Sequence, residues 1–215
     1  MITVTGMRWV PPVAHGQVKD IRVRWALEEA GWPYEVRLVG PDERKGGDYL
    51  GQQPFGQVPV YEENGLVLFE SGAIVQHIAQ KSPALMPDDL GARARISAWM
   101  FAAATSVEPQ VQNFALIDGP WSGEQWAQLR RQDAEEIARR AVAGVAGWLD
   151  GRDWLEDGRF TAADLLMASV LQILRRTRIV DQAGLRPYLD RCQSRPAYRK
   201  VLADQIAEYT ANAPA

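Results

Sequence analysis

The chain has 215 residues, a hydrophobic content of 47%, a formal net charge of −3 and one cysteine, Cys192. That length allows one large domain or two small ones, and the charge balance excludes the basic footprint of a nucleic-acid binder. A lone cysteine excludes an internal disulfide framework and fits a reducing compartment, and no apolar run approaches membrane-spanning length.

Residues 1–6 read as a strand, alternating over Ile2 to Thr5. They lack the charged start and long apolar stretch of a signal peptide, so a cytoplasmic protein is expected. Asp20 to Glu29 carries Ile21, Trp25 and Ala26 at helical spacing, and Gly31 with Pro33 ends that helix. Tyr34 to Val39 alternates again. Strand, helix and strand imply a parallel pair with a right-handed crossover. Residues 40–53 are rich in glycine and charge, and read as loop with a short helix near Asp48 to Gly51.

Val58 to Tyr61 and Leu66 to Phe69 form two apolar runs around Glu62-Glu63-Asn64-Gly65. Asn-Gly between strand-like runs is a hairpin signal, because both positions tolerate positive φ. Pro59 is expected to open the first strand, where a missing N–H costs least. Glu70-Ser71-Gly72 then leads into a helix carrying Ile74, Val75, Ile78 and Ala79. Residues 1–81 thus form one βαβ-α-ββα unit. Residues 82–90, with Pro83 and Pro87, read as a linker.

Residues 91–215 are helical throughout. The expected helices cover 93–118, with a bend at Pro109, then 124–149 and 161–177. Shorter ones follow over 188–192 and 197–209. Arg130-Arg131, Arg139-Arg140 and Arg175-Arg176 sit among acids and read as solvated helix faces.

Two places carry chemistry. Gln57 and Val58 precede a proline and are held extended, so their backbone can pair with an extended peptide. Ser71 sits at a helix N-terminus, where hydroxyl, free N–H groups and dipole attract a carboxylate; Glu70 beside it can take an ammonium. Together they make a receptor for a small peptide with an α-amino-acid end.

The words Gln53-Pro54-Phe55-Gly56-Gln57-Val58-Pro59 and Glu70-Ser71 resemble the glutathione S-transferase superfamily. The resemblance implies a thioredoxin-like α/β N-terminal domain (1–81) and an all-α C-terminal domain (91–215). It also implies that the bond before Pro59 is cis, that Val58 pairs with the cysteinyl backbone of glutathione, and that Glu70-Ser71 holds the γ-glutamyl end. Thr161-Ala162-Ala163-Asp164 matches the family's helix cap and takes a structural role, and Leu189-x-Arg191 before Ser194-Arg195-Pro196-Ala197 resembles its late helix and turn. A homodimer is implied by the family alone.

Glutathione transfer needs a thiolate, and a thiol of ordinary pKa ~8.5 is mostly protonated at neutral pH. Many relatives place Tyr, Ser or Cys before the first helix; here no Ser, Thr, Tyr or Cys lies between Met7 and Asp20. The remaining candidates are the Gln17 amide, backbone N–H groups of Gly16 to Val18, and His15 as donor or base, with Arg8 or Trp9 lining the pocket. His15 reads equally well as a solvent-exposed loop residue. Arg44, Lys45 and Gln57 are further candidates for holding glutathione. The acceptor pocket is expected between the domains, with Trp9 on one wall and Trp99, Ala103, Ser106, Val107 and Gln110 on the other. The expected reaction is attack of glutathione thiolate on a hydrophobic electrophile. The rivals are a non-catalytic binder of glutathione or an apolar ligand, and a protein-interaction scaffold. Cys192, far in sequence from this site, reads as a packing or surface residue.

Overall fold

A computed structural model describes residues 1–214. The chain divides into two compact units: Met1–Met86 together with the chain from Ser194 onward, and Pro87–Gln193.

The first unit is built on a four-stranded sheet in the order β2-β1-β3-β4. The strands are β1 (Ile2–Met7), β2 (Tyr34–Val39), β3 (Val60–Glu63) and β4 (Leu66–Phe69). β1 runs parallel to β2, and β3 is antiparallel to both β1 and β4. The hairpin turn has φ of 51° at Asn64 and 84° at Gly65, as the Asn-Gly pair predicts. β3 begins at Val60 rather than Val58; Pro59 stands before the ladder, and the extended stretch ahead of it lies outside the sheet.

Helix α1 (Asp20–Ala30) ends at Gly31, whose φ is 69°. There Gly31 N–H bonds the Glu28 carbonyl and Trp32 N–H the Leu27 carbonyl, capping orphan carbonyls. α2 (Gly47–Leu50) is a single turn, and α3 (Ser71–Gln80) follows β4 directly and packs on α1. Trp25, Leu27, Tyr61, Ile74 and Ile78 are fully buried here.

The last helix, α10 (Pro196–Ala211), belongs to this unit rather than to the helical half in which residues 91–215 were grouped. The reason is its packing on α1. The Trp25 and Tyr198 rings stand 4.7 Å apart. Arg195 forks onto the Glu29 carboxylate at 2.6 and 2.7 Å, and Lys200 reaches Glu28 at 2.7 Å.

The second unit holds α4 (Leu90–Phe101), α5 (Glu108–Asp118), α6 (Gln125–Leu149), α7 (Ala162–Leu171), α8 (Ile179–Gln182) and α9 (Arg186–Gln193). α4 passes into α5 through a π-helical stretch, Ala102–Val107, and Pro109 lies in the first turn of α5, where its missing N–H is tolerated. α7 is the core helix. Its Thr161–Asp164 capping box is formed, and Asp164 also accepts from Leu155 N–H at 3.0 Å and Tyr188 Oη at 3.1 Å. Burial pushes the Asp164 carboxyl up against these four donors. Cys192 is buried. Among the described residues no helix is long and apolar enough to cross a membrane.

Candidate functional site

Strand register brings the candidate residues of the first unit to one end of the sheet. β3 and β4 pair Val60 with Phe69; two further steps along the same register set Pro59 and Val58 beside Glu70 and Ser71. β1 and β3 pair Val4 with Tyr61, so the C-terminal end of β1 points to the same place. The loop before α1 leaves from that end.

The stretch before Pro59 is held by groups from three elements. Val60 N–H donates to Thr5 Oγ1 at 2.7 Å, Thr5 Oγ1 lies 3.2 Å from Tyr49 Oη, and Tyr49 Oη donates to the Gln57 carbonyl at 2.6 Å. This chain spans the Val58-Pro59 bond, which is cis. One residue earlier, Gly56 has φ of 61° and its carbonyl accepts from Arg44 Nη1 at 2.8 Å. A Cβ at Gly56 would sit 2.9 Å from the Arg44 carbonyl, so this close approach requires glycine. Gln53 is buried, and its side chain accepts from Phe55 N–H at 2.6 Å. Among the described residues, the N–H and carbonyl of Val58 are left without a partner. The result is a fixed, extended edge that can pair with a peptide backbone.

Ser71 is the first residue of α3, and Glu70 precedes it with φ of 67° and ψ of 110°. No side chain caps the helix and no acid lies in its first turn, so Ser71 is not a simple N-cap. Buried Arg22 on α1 donates to Ser71 Oγ at 3.4 Å. With its lone pair engaged by a cation, the hydroxyl is oriented to donate, and the guanidinium adds positive charge to the helix terminus. Glu70 is exposed, and its carboxylate is unpaired among the described residues.

The loop between β1 and α1 contains one helical turn, Pro12–Ala14. The backbone N–H groups of Ala14, His15 and Gln17 bond carbonyls of the same loop, at 2.8, 3.2 and 3.0 Å. Gly16 N–H donates to Gln205 Oε1 at 3.2 Å. Two of the three backbone donors expected over Gly16 to Val18 are therefore already used. His15 Nε2 lies 3.2 Å from the Val10 carbonyl, and its ring rests against Tyr209 with centroids 5.2 Å apart. Gln17 is half-buried at the loop's end, and its amide bonds nothing within the described chain.

Arg44 is engaged with Gly56, while Lys45 is exposed and unpaired among the described residues. Gln57 and Trp9 are exposed. In the second unit, Ala103 and Val107 are buried, Ser106 is exposed and Gln110 half-buried. Trp99 packs on Trp148 with centroids 5.4 Å apart. Thr5, Tyr49, Arg22 and Gln205 are site-building residues that sequence reasoning missed. None has a sequence signal beyond being polar, because each acts across at least eight residues of chain.

Comparison with known proteins agrees with this construction. Residues 14–80 match the glutathione S-transferase N-terminal domain, and residues 109–196 match the glutathione S-transferase C-terminal domain. A glutathione S-transferase of Hyoscyamus muticus is 28% identical over 195 residues, covering 85% of this chain and 92% of the relative. Glutathione transferase F7 from Populus trichocarpa shares the fold with a TM-score of 0.81 at 24% identity, over 96% of this chain and 99% of its own. The nitrogen regulation fragment of the yeast prion protein Ure2p does so with a TM-score of 0.79 at 21% identity, over 94% and 96%. With both domain matches in order along one chain, and the Val58-Pro59 and Glu70-Ser71 positions built as described, this chain belongs to the glutathione S-transferase superfamily.

Proposed function

We propose that the protein is a glutathione transferase that joins the glutathione thiolate to a hydrophobic electrophile, and so serves detoxification of such compounds in the cytoplasm. The observation that carries this reading is the convergence, at one sheet end, of an unpaired extended edge at Val58 with the uncapped N-terminus of α3. Val58 pairs with the cysteinyl backbone of glutathione. Ser71, supported by Arg22, and the free N–H groups of α3 take the γ-glutamyl carboxylate, and Glu70 takes its ammonium. Lys45, Arg44 and Gln57 hold the glycyl end, with Arg44 acting chiefly through the Gly56 turn. The thiol loses its proton to solvent, and the Gln17 amide donates to the thiolate. The sulfur then forms a bond to an electrophilic carbon, and the leaving group departs with its bonding electrons. The acceptor is held by Trp9 and by Trp99, Ala103, Ser106, Val107 and Gln110. The protein contributes orientation and partial charge stabilisation.

Gln17 is preferred to His15 because its amide is uncommitted while the His15 ring is engaged by Val10 and Tyr209. Thiolate absorbance of bound glutathione against pH tests this. Gln17→Ala should raise the thiol titration toward that of free glutathione, and His15→Ala should do little. A shift with His15→Ala alone would transfer the role to His15.

A second reading, a glutathione-binding protein without turnover, is favoured by the missing hydroxyl between Met7 and Asp20. Calorimetry with glutathione separates either reading from a pure scaffold, and conjugation of an aromatic halide separates the two. A homodimer is part of the proposal. It is supported by the exposed edge strand, where Leu66, Val67 and Phe69 join Phe55, itself 66% exposed and set edge-on to Phe69. Light scattering on the wild type and on Val67→Glu checks it.

A further inference from the structure

The loop that carries Gln17 is held from α10. Gly16 has φ of 74°, and a Cβ there would lie 3.0 Å from Leu202 Cδ1, so helix and turn are in close approach. Gly16 N–H donates to Gln205 Oε1 at 3.2 Å. Gln205 Nε2 donates to both oxygens of Asp20, at 3.0 and 3.1 Å. Asp20 in turn lies 3.4 Å from Arg24 Nη1, which bonds Glu208 at 2.8 Å. Gln205, Asp20 and Arg24 are all buried. Tyr209, next along α10, packs on the neighbouring His15.

The chemistry of this link is specific. Gly16 presents a donor and Asp20 an acceptor, so the group between them must accept on one side and donate on the other. Among uncharged side chains of this length, glutamine does both. The link is also unexpected from the domain matches, which end at residue 196, before Gln205. Asp20 has no other task in the site, and its burial is satisfied by Gln205 and Arg24.

We propose that Gln205 is a positioning residue for thiol activation: by bridging the Gly16 N–H to the Asp20 carboxylate, it fixes the turn that presents Gln17 to the sulfur of glutathione. The inference rests on the placement of the thiol at Gln17. A displaced amide still lies near the sulfur but no longer points at it, and small misplacements of this kind cost rate rather than affinity. The groups facing Asp20 are Arg24 from its own helix and Gln205, Glu208 and Tyr209 from α10. The link is thus shared between the first and last helices of the unit.

The test compares wild type, Gln205→Leu, the double exchange Asp20→Asn with Gln205→Glu, and Gln17→Ala. The readouts are thiolate absorbance of bound glutathione against pH, and kcat and KM with an aromatic halide. The double exchange keeps a carboxylate on the Gly16 N–H and reverses the amide–carboxylate pair. Gln205→Leu should lower kcat by about tenfold or more while KM for glutathione holds, since Val58 and Ser71 are untouched. Its bound thiol should titrate closer to free glutathione, and the double exchange should restore both. A Gln205→Leu protein with wild-type titration and kcat overturns the proposal, as does a double exchange no better than Gln205→Leu. If Gln17→Ala alone shifts the titration, only the role of Gln205 falls. If neither variant shifts it, the thiol is not at this turn and both readings fall. Should Gln205→Leu fail to fold, the double exchange against Asp20→Asn alone decides the same question.

Discussion

The segment from Gln53 to Ser71 and the loop from Arg8 to Lys19 meet at one end of one sheet, but they are held in different ways. The first is fixed by near neighbours: Gln53 on Phe55, Arg44 on Gly56, Tyr49 on Gln57. It leaves backbone groups of Val58 and the α3 terminus open. The second spends its backbone donors on itself and on Gln205, 189 residues away in the chain. A binding edge needs a few local hydrogen bonds and an opening. A catalytic turn must also be aimed, and here the aim comes from a helix at the far end of the sequence.

The largest expected effect lies in the loop's anchor. Burial pushes the Asp20 carboxyl up to about 6, opposed by Arg24 and Gln205. The folded protein therefore holds this proton more tightly than the unfolded chain, whose carboxyl titrates near 3.9. The stability contributed by the group is complete below about pH 4 and is lost as pH rises through about 6, by up to about 3 kcal/mol. Asp20→Asn should be flat over that window relative to wild type in urea denaturation. Parallel pH curves for the two proteins would remove Asp20 as the source.

The binding edge comes next. Ser71→Ala should weaken glutathione by about tenfold, the loss of one hydrogen bond to a charged group. Thermal unfolding should change little, because no other contact of the fold depends on that hydroxyl. An unchanged calorimetric affinity would move the γ-glutamyl end elsewhere.

Outside both regions, Thr161→Ala should cost about 1 kcal/mol of stability, the usual worth of such a cap. Glutathione affinity of the folded protein should stay the same. Wild-type thermal stability in that variant would count against the structural role of the capping box.

The smallest effect is at Lys45, an exposed charge with no fixed geometry. Lys45→Ala should weaken glutathione by no more than about 1 kcal/mol, and the difference should vanish in high salt. A salt-independent loss would mean a fixed, desolvated contact instead.

Much of the fold was legible in the sequence because its signals are local. Alternation placed β2 at Tyr34–Val39, a glycine and a proline ended α1, and Asn64-Gly65 made the hairpin. Thr161 and Asp164, three residues apart, close their capping box as the spacing predicts. The words around Pro59 and Ser71 located the binding edge for the same reason: extended backbone before proline and open N–H groups at a helix start are properties of a few consecutive residues. Tertiary structure alone decided the rest. Thr5 meets Tyr49 because β1 lies beside β3, Arg22 meets Ser71 because α1 packs on α3, and Gln205 meets Gly16 because α10 returns to α1. A polar side chain gives no periodic signal of its partner when the partner stands on another element. The return of α10 to the first unit was likewise hidden, since an amphipathic helix declares that it has a buried face but not which surface covers it.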